Sequence, residues 1–578
     1  MADLLLTSPV RRTVHRGDDD LLSAGLGLAG LAGLPVRFAD PAQPTPEELR
    51  RRAIQSGWKG VTDLGPLGGF GRLYGKTPDV PGREYSAFAR LPHARHPHRV
   101  SCQIPDAFDA KARCLLVAPA SGSRGVYGAA PLGGWGLARG CAVVYTDKAA
   151  GTGYFDCANG SGVALDGTRA EAGSAALEFE PPAYSTGAGI AVKHAHSGDY
   201  PEADWGMHVL QAARFGLAML DGAFPALAPF TPENTRILAA GISNGGAAVL
   251  QAAGQDQTRL LRGVVALEPN VQIKGHGRAL YDYATEAALW MPAALTAPRF
   301  ANVPFARAGA ASVPAWITRR QNLHAHGLLS SVDPAAQAEA ALEYLNRSGW
   351  RDEVLATAAS SVAFDMWRAV GATYASAYLR AGVGAMPGGF SFRAIDVNGL
   401  TARAVHATWW SDGTGIPPDV GIGLFGGTDV SADPTLPGVL ALRELWDGDD
   451  AAAKTLHAAV DALAAGLPRA DLPVWVVHGA EDGLIPAAFT SDPYVEWLRE
   501  QGRSPRYWRV PHAQHFDAFL QLPGFGDRYV PLLPYGYAAL DRMYAHVVEG
   551  AALPDPPTPA TRPRGAAMLD RARLGLPA

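Results

Sequence analysis

The 578 residues are 48% hydrophobic and 18% charged, the balance of a globular protein with a large buried core. That composition excludes an intrinsically disordered chain. A formal net charge of −5, with no long basic run carrying interleaved aromatics, argues against a nucleic-acid partner.

The chain opens without the basic-then-apolar order of a signal peptide. Asp3 and Asp18-Asp19-Asp20 interrupt it, so the expected location is cytoplasmic as the chain stands. Leu21 to Val36 is apolar, but its 16 residues include Gly25, Gly27, Gly30 and Gly33. It is too short and too glycine-rich to span a bilayer, and no membrane partner is expected. Gly25-Leu26-Gly27-Leu28-Ala29-Gly30 fits the dinucleotide fingerprint, yet no apolar strand precedes it, and loop packing is the expected role. Tyr85 to Leu91 and His98 to Ile104 read as strands on either side of a Pro/His-rich turn. Cys114 to Ala118 is a continuous apolar run, as expected of a strand covered on both faces, and Ala142 to Thr146 repeats the unit after a helical segment.

Cys102, Cys114, Cys141 and Cys157 fall within one 56-residue window. Cys114 and Cys141 open apolar runs and read as buried thiols; Cys102 and Cys157 are the candidate pair for an oxidising compartment. Residues 147–200 read as a glycine-rich loop. Within them His194-Ala195-His196 lacks a third ligand at metal-binding spacing and reads as a polar contact at a site rim. A helix over Trp205 to Leu220 follows Pro201, and then come strand candidates Arg236 to Ala240, Gly263 to Leu267, Pro473 to His478 and Arg506 to Val510. The last clear element is a helix from Tyr537 to Glu549, stopped by Gly550.

Eight strand candidates, two hairpin-like and six alternating with helices, predict an α/β protein. The pattern is that of an α/β-hydrolase fold: a mostly parallel eight-stranded sheet with a large, mainly helical lid insertion. The expected organisation is a first part of the core over 1–269 with the loop-rich insertion 147–200, a lid over 270–470, the rest of the core over 471–550, and a Pro-rich tail over 551–578. In the lid, Asp333-Pro334 is a helix start, Asp352 starts a second helix running towards Gly382, and Val405 to Phe425, with Trp409 and Trp410, reads as irregular and β-like.

Gly241-Ile242-Ser243-Asn244-Gly245 lies between the strand at Arg236 and a small-residue helical stretch. In a strand–turn–helix elbow the glycines allow backbones to crowd around one strained serine, which becomes a nucleophile when a histidine takes its proton. That fold order demands an acid and then a histidine, each after a later strand. Asp482 follows the strand ending at His478, and Gly483 suggests a tight turn that displays it; Glu481 is the alternative. His515 follows the strand ending at Val510 and precedes an apolar Phe516 able to anchor it; His512 is the alternative. The oxyanion hole is expected from the backbone N–H of Asn244 and one from Ser121 or Gly122. This chemistry needs no metal and no organic cofactor.

Beyond these positions, several stretches carry a family resemblance. They are Asp19 to Gly27, Ala118-Pro119-Ala120-Ser121-Gly122-Ser123-Arg124-Gly125, Tyr145-Thr146-Asp147-Lys148, Lys193-His194-Ala195-His196-Ser197, Gly241 to Gly246 and Gln514 to Phe519. In combination they resemble the D-(−)-3-hydroxybutyrate oligomer hydrolases. The resemblance implies a serine esterase that cleaves soluble 3-hydroxybutyrate oligomers to monomers, downstream of a poly(3-hydroxybutyrate) depolymerase, with Ser243 as the charge-relay serine. It also implies a secreted or periplasmic location, as the alternative to the cytoplasmic one. Rival readings are a carboxylesterase of the tannase or feruloyl-esterase kind, an acyl peptidase, and a non-catalytic hydrolase-fold binding protein.

Overall fold

The structure, a computed structural model, describes residues 4–395, 406–413, 421–426 and 433–576. Its centre is a sheet of strands β1 (Arg11–His15), β2 (Gly82–Ala89), β3 (His98–Pro105), β4 (Cys114–Pro119), β5 (Ala142–Thr146), β6 (Arg236–Ile242), β7 (Gly263–Leu267), β8 (Val474–Gly479) and β9 (Arg506–Val510). They lie in the order β1-β2-β3-β5-β4-β6-β7-β8-β9. β1, β2, β3 and β5 pair antiparallel in turn. From β5 through β4, β6, β7 and β8 to β9 every pairing is parallel. The fold is therefore α/β with a mixed sheet.

The sheet has nine strands, where the sequence pattern predicts eight. The additional one, Arg-Arg-Thr-Val-His, has no apolar alternation because it is an edge strand with half-exposed residues. Charged side chains on an edge discourage pairing with another chain, and they erase the pattern by which a strand is recognised.

Seven helices lie against this sheet or reach the site: α1 (Pro46–Lys59), α2 (Ala130–Leu137), α3 (Trp205–Ala223), α4 (Asn244–Gln255), α5 (Leu280–Ala294), α6 (Met366–Tyr378) and α7 (Leu533–Glu549). α3 and α4 pack on each other and on the parallel strands, while α7 packs on β6, β7 and β8. Every residue of β4, β7 and β8 is buried. That is why these strands read as continuous apolar runs rather than alternating ones.

Between β7 and β8 the chain builds α5, helices Val313–Ala325, Pro334–Arg347 and Asp352–Ala363, α6, helices Leu436–Asp447 and Ala451–Ala462, and an antiparallel pair, Ser391–Ala394 with Ile422–Phe425. Asp333 caps its helix by accepting from the Ala336 N–H at 2.7 Å. The helix expected from Asp352 towards Gly382 is instead two, broken at Asp365, which adopts a left-handed conformation with φ 56°. Of the stretch Val405 to Phe425, Trp409 and Trp410 lie on a helix, His406–Ser411, while Ile422–Phe425 is a strand; Val405 and residues 414–420 lie outside the described residues.

Residues 147–200 are more ordered than a glycine-rich loop. Strands Tyr154–Asp156, Ser161–Val163, Arg169–Glu171 and Ile190–Val192 form a four-stranded antiparallel sheet. Strands of three residues carry too little periodicity to be read from sequence. All four cysteines are free and buried, so Cys102 and Cys157 are not paired. Among the described residues no helix is long and apolar enough to cross a membrane.

Candidate active site

β6 ends at Ile242 and α4 begins at Asn244, leaving Ser243 alone in the turn with φ 58° and ψ −121°. A non-glycine residue in that region is strained and persists only where its surroundings hold it. The Ser243 N–H donates to the Leu267 carbonyl at 2.9 Å. The flanking glycines have steric reasons. A Cβ on Gly241 would lie 2.0 Å from the Gly245 carbonyl oxygen, and one on Gly245 would lie 2.6 Å from the Pro119 oxygen. The elbow is thereby pressed against the end of β4, where the Ser121–Gly122 turn begins.

Asp482 follows β8 and His515 follows β9, and two backbone bonds join their loops: Ala480 N–H to Val510 O at 2.8 Å and Glu481 N–H to Ala513 O at 3.0 Å. Oδ1 of Asp482 accepts the N–H groups of Leu484 and Ile485. Oδ2 takes the hydrogen bond from His515 Nδ1 at 2.8 Å. Burial works to raise the Asp482 carboxyl, but the imidazoles of His515 and His478 outweigh it and hold it well below the usual carboxylate range. Phe516 meets the His515 ring edge-on at 4.8 Å.

The alternatives lie elsewhere. Glu481 accepts the His512 N–H, and the His512 ring contacts the Thr561 hydroxyl. Gly483 sits in the bend closed by the Asp482 side chain and also permits a close approach, since a Cβ there would lie 2.3 Å from the Ala358 nitrogen.

Ser243 and His515 line one cavity of about 460 Å³, together with Ser121, Gly122 and Asn244. No Ser243–His515 hydrogen bond appears among the described residues. The cavity's apolar lining combines Leu280, Met366 and Val370 from the segment after β7 with Leu484, Ile485 and Phe516 from the core loops. Among the described residues no protein acceptor is found for the N–H groups of Ser121, Gly122 and Asn244, residues that line the cavity.

Three residues at the site escape sequence reasoning. Glu268, at the end of β7, is buried with Oε2 3.8 Å from His515 Nδ1. Burial, and then the charges of Asp482 and Asp517, push its carboxyl well above the usual range. Its place directly after a parallel strand, like that of Ser243, is the signal that would have found it. Ligand atoms of Glu268, Asp482 and His515 come within 4.8 Å of one another. The Asp482–His515 hydrogen bond accounts for two of them, and a neutral Glu268 is a weak third ligand. Tyr374 on α6 accepts from the Asn244 side-chain amide, and nothing local in sequence announces that contact. Lys148, fully buried, touches the carbonyls of Ala120 and Gly122. His194 and His196 hold protein groups: His194 lies between Ser123 and Glu202, and His196 accepts the Val192 N–H.

The family model described as 3HB-oligomer hydrolase (3HBOH) matches residues 4–574. A D-(-)-3-hydroxybutyrate oligomer hydrolase of Paracidovorax citrulli is 38% identical, the match covering 95% of this chain and 87% of that protein. Its counterpart from Cupriavidus metallidurans is 36% identical, over 98% and 87%. Among solved structures, Candida Antarctica lipase A aligns at 12% identity over 86% of this chain and 80% of the lipase, with a TM-score of 0.33. A rice cell wall degrading esterase from Xanthomonas oryzae aligns at 10% identity over 81% and 89%, with a TM-score of 0.36.

Proposed function

The chain belongs to the 3HB-oligomer hydrolase family and is an ester hydrolase of 3-hydroxybutyrate oligomers; on that premise we propose that Ser243, His515 and Asp482 carry the reaction. His515 Nε2 takes the proton of the Ser243 hydroxyl as its oxygen attacks an ester carbonyl. Asp482 receives Nδ1–H, fixing the tautomer and stabilising the imidazolium. The Asn244 N–H and one from the Ser121–Gly122 turn hold the developing oxyanion. Collapse of the tetrahedral adduct expels the 3-hydroxyl of the departing unit, which takes its proton from His515. Water activated by the same imidazole then releases the acyl group and restores Ser243.

The observation that carries this reading is the 2.8 Å bond from His515 to Asp482 beside the cavity that Ser243 lines. The sheet corresponds to an α/β-hydrolase core, and the helices between β7 and β8 to a lid. The lid's apolar side chains would hold the aliphatic backbone of the oligomer by burying its methyl and methylene groups. The test is turnover of 3-hydroxybutyrate dimer and trimer beside an aryl ester and a peptide, with fluorophosphonate labelling of wild type and Ser243→Ala. Preferred cleavage of the oligomers, with labelling lost in Ser243→Ala, is the expected result. Equal turnover of all substrates would remove the substrate reading, and persistent labelling would remove the nucleophile.

A further inference from the structure

Resting on that assignment of Ser243, we propose that Lys148 is a positioning residue. It fixes the peptide unit between Ala120 and Ser121 so that the Ser121 N–H is held as a donor to the oxyanion. The stretches Tyr145 to Lys148 and Lys193 to Ser197 have no role in the proton transfers, yet both converge on the turn beside the elbow.

The argument begins with peptide geometry. In a planar trans peptide the C=O of one residue and the N–H of the next point in opposite directions. Lys148 Nζ donates to the Ala120 carbonyl at 2.5 Å, which turns the Ser121 N–H away from the lysine. The same ammonium reaches the Gly122 carbonyl at 3.1 Å, a geometry that Gly122 permits with φ 48°. Between them the Ser121 carbonyl accepts the Arg124 N–H at 3.1 Å. Three successive carbonyls are thus fixed, and the turn has little freedom to rotate its N–H groups.

A second anchor lies one residue further on. The Ser123 hydroxyl bonds His194 Nδ1 at 2.5 Å, and His194 Nε2 bonds Glu202; all three side chains are buried. This Ser-His-Glu chain looks like a relay, but it lies outside the lining of the cavity and serves as a strut. The α4 helix presses on the same stretch through Gly245, whose Cβ position lies 3.1 Å from the Ala120 oxygen.

Taking an ammonium out of water is costly, and a buried lysine persists only where partners compensate. Burial pulls Lys148 down to about 7, the carboxylates of Asp147 and Glu202 oppose that fall and Lys193 adds to it; the two carbonyls and the Trp205 ring at 5.4 Å are its remaining partners. A hydrogen-bond donor on the Ala120 oxygen also polarises that peptide and makes the Ser121 N–H a stronger donor, whether the lysine is charged or neutral. Both effects matter most when negative charge develops on the substrate oxygen.

The experiment compares wild type with Lys148→Met and Lys148→Gln, every rate being normalised to active sites titrated with a fluorophosphonate. A boronic acid that forms a tetrahedral adduct with Ser243 reports oxyanion binding. For Lys148→Met the expected result is a kcat about 10²-fold lower, the scale of one lost oxyanion donor. KM stays within about twofold, and boronate affinity falls by the same factor as kcat/KM. Lys148→Gln, with a shorter neutral donor, falls between the two. A structural role alone would lower the titre and melting temperature while leaving per-site kcat and boronate affinity unchanged, and that result overturns the proposal. If Lys148→Met yields no titratable protein, Lys148→Gln decides by the same criterion. Ser123→Ala, which releases only the strut, should show a smaller parallel loss. Failure of wild type to bind the boronate would instead overturn the assignment of Ser243.

Discussion

The side-chain amide of Asn244, the residue after the elbow serine, donates to the hydroxyl of Tyr374 across 2.8 Å. Tyr374 stands on α6, in the segment between β7 and β8, and its ring meets the edge of His194 at 5.0 Å. One side chain of that segment therefore touches both the start of α4 and the strut behind the Ser121 turn. Asn270 completes the arrangement by donating to Asn244 Oδ1 at 3.0 Å. Tyr374→Phe keeps the ring and removes the acceptor, leaving a buried amide N–H unpaired at a cost of about 1–3 kcal/mol. The expected outcome is a lower melting temperature and a several-fold fall in kcat, measured on the 3-hydroxybutyrate dimer.

Gly245→Ala should separate packing from chemistry. The new methyl would meet the Pro119 oxygen at 2.6 Å and the Ala120 oxygen at 3.1 Å, backbone atoms at the end of β4 and of the turn proposed to hold the oxyanion. Displacement of that strand moves the Ser121 N–H, so kcat is expected to fall by about 10²-fold, the scale of losing one oxyanion donor. Circular dichroism should show the secondary structure retained.

Removal of the three proposed catalytic side chains should be strongly non-additive. Ser243→Ala and His515→Ala are each expected to lower ester hydrolysis by about 10⁴–10⁶-fold, with the double variant no worse than either alone. Asp482→Asn preserves shape but no longer compensates the imidazolium, and a loss of about 10⁴-fold is expected. Steady-state kinetics on the dimer checks all four.

Glu268 and Asp517 give stability a definite pH dependence. Burial raises both carboxyls, Glu268 well above the usual range and Asp517 to about 7. The native state therefore holds protons that the unfolded chain has already released above its ordinary carboxyl values. Folding stability then declines as pH rises from about 4.5 towards 7. Glu268→Gln stays neutral throughout. Its melting temperature relative to wild type should rise across that interval, and a constant difference would refute the raised Glu268.

Asp482 has the opposite sign. Held below the usual carboxylate range, it contributes stability that is present above its unfolded value near 3.9 and lost as pH falls towards its folded one. Acid melting curves of Asp482→Asn should lie closer together from pH 5 downwards, to about 3, than those of wild type.

Much of the core was legible because its signals are local. Continuous apolar runs such as Cys114 to Pro119 and Gly263 to Leu267 declare strands buried on both faces. β1 was not legible, since an edge strand reads Arg-Arg-Thr-Val-His, and neither were the three-residue strands of residues 147–200. Helix starts with a capping side chain, such as Asp333, could be read; the break at Asp365 could not, because no proline or glycine marks it.

The sequence by itself determined the strand–turn–helix around Ser243 and the order in which an acid and a histidine follow later strands, because glycine spacing and strand punctuation are properties of neighbouring residues. Only the tertiary structure decided that Asp482 rather than Glu481 meets His515, that Glu268 is buried beside them, and that Lys148 and Tyr374 bear on the Ser121 turn and the elbow. Those relations join residues 26 to 247 positions apart along the chain. They arise from the register of parallel strands and the packing of the inserted helices, neither of which leaves a local trace.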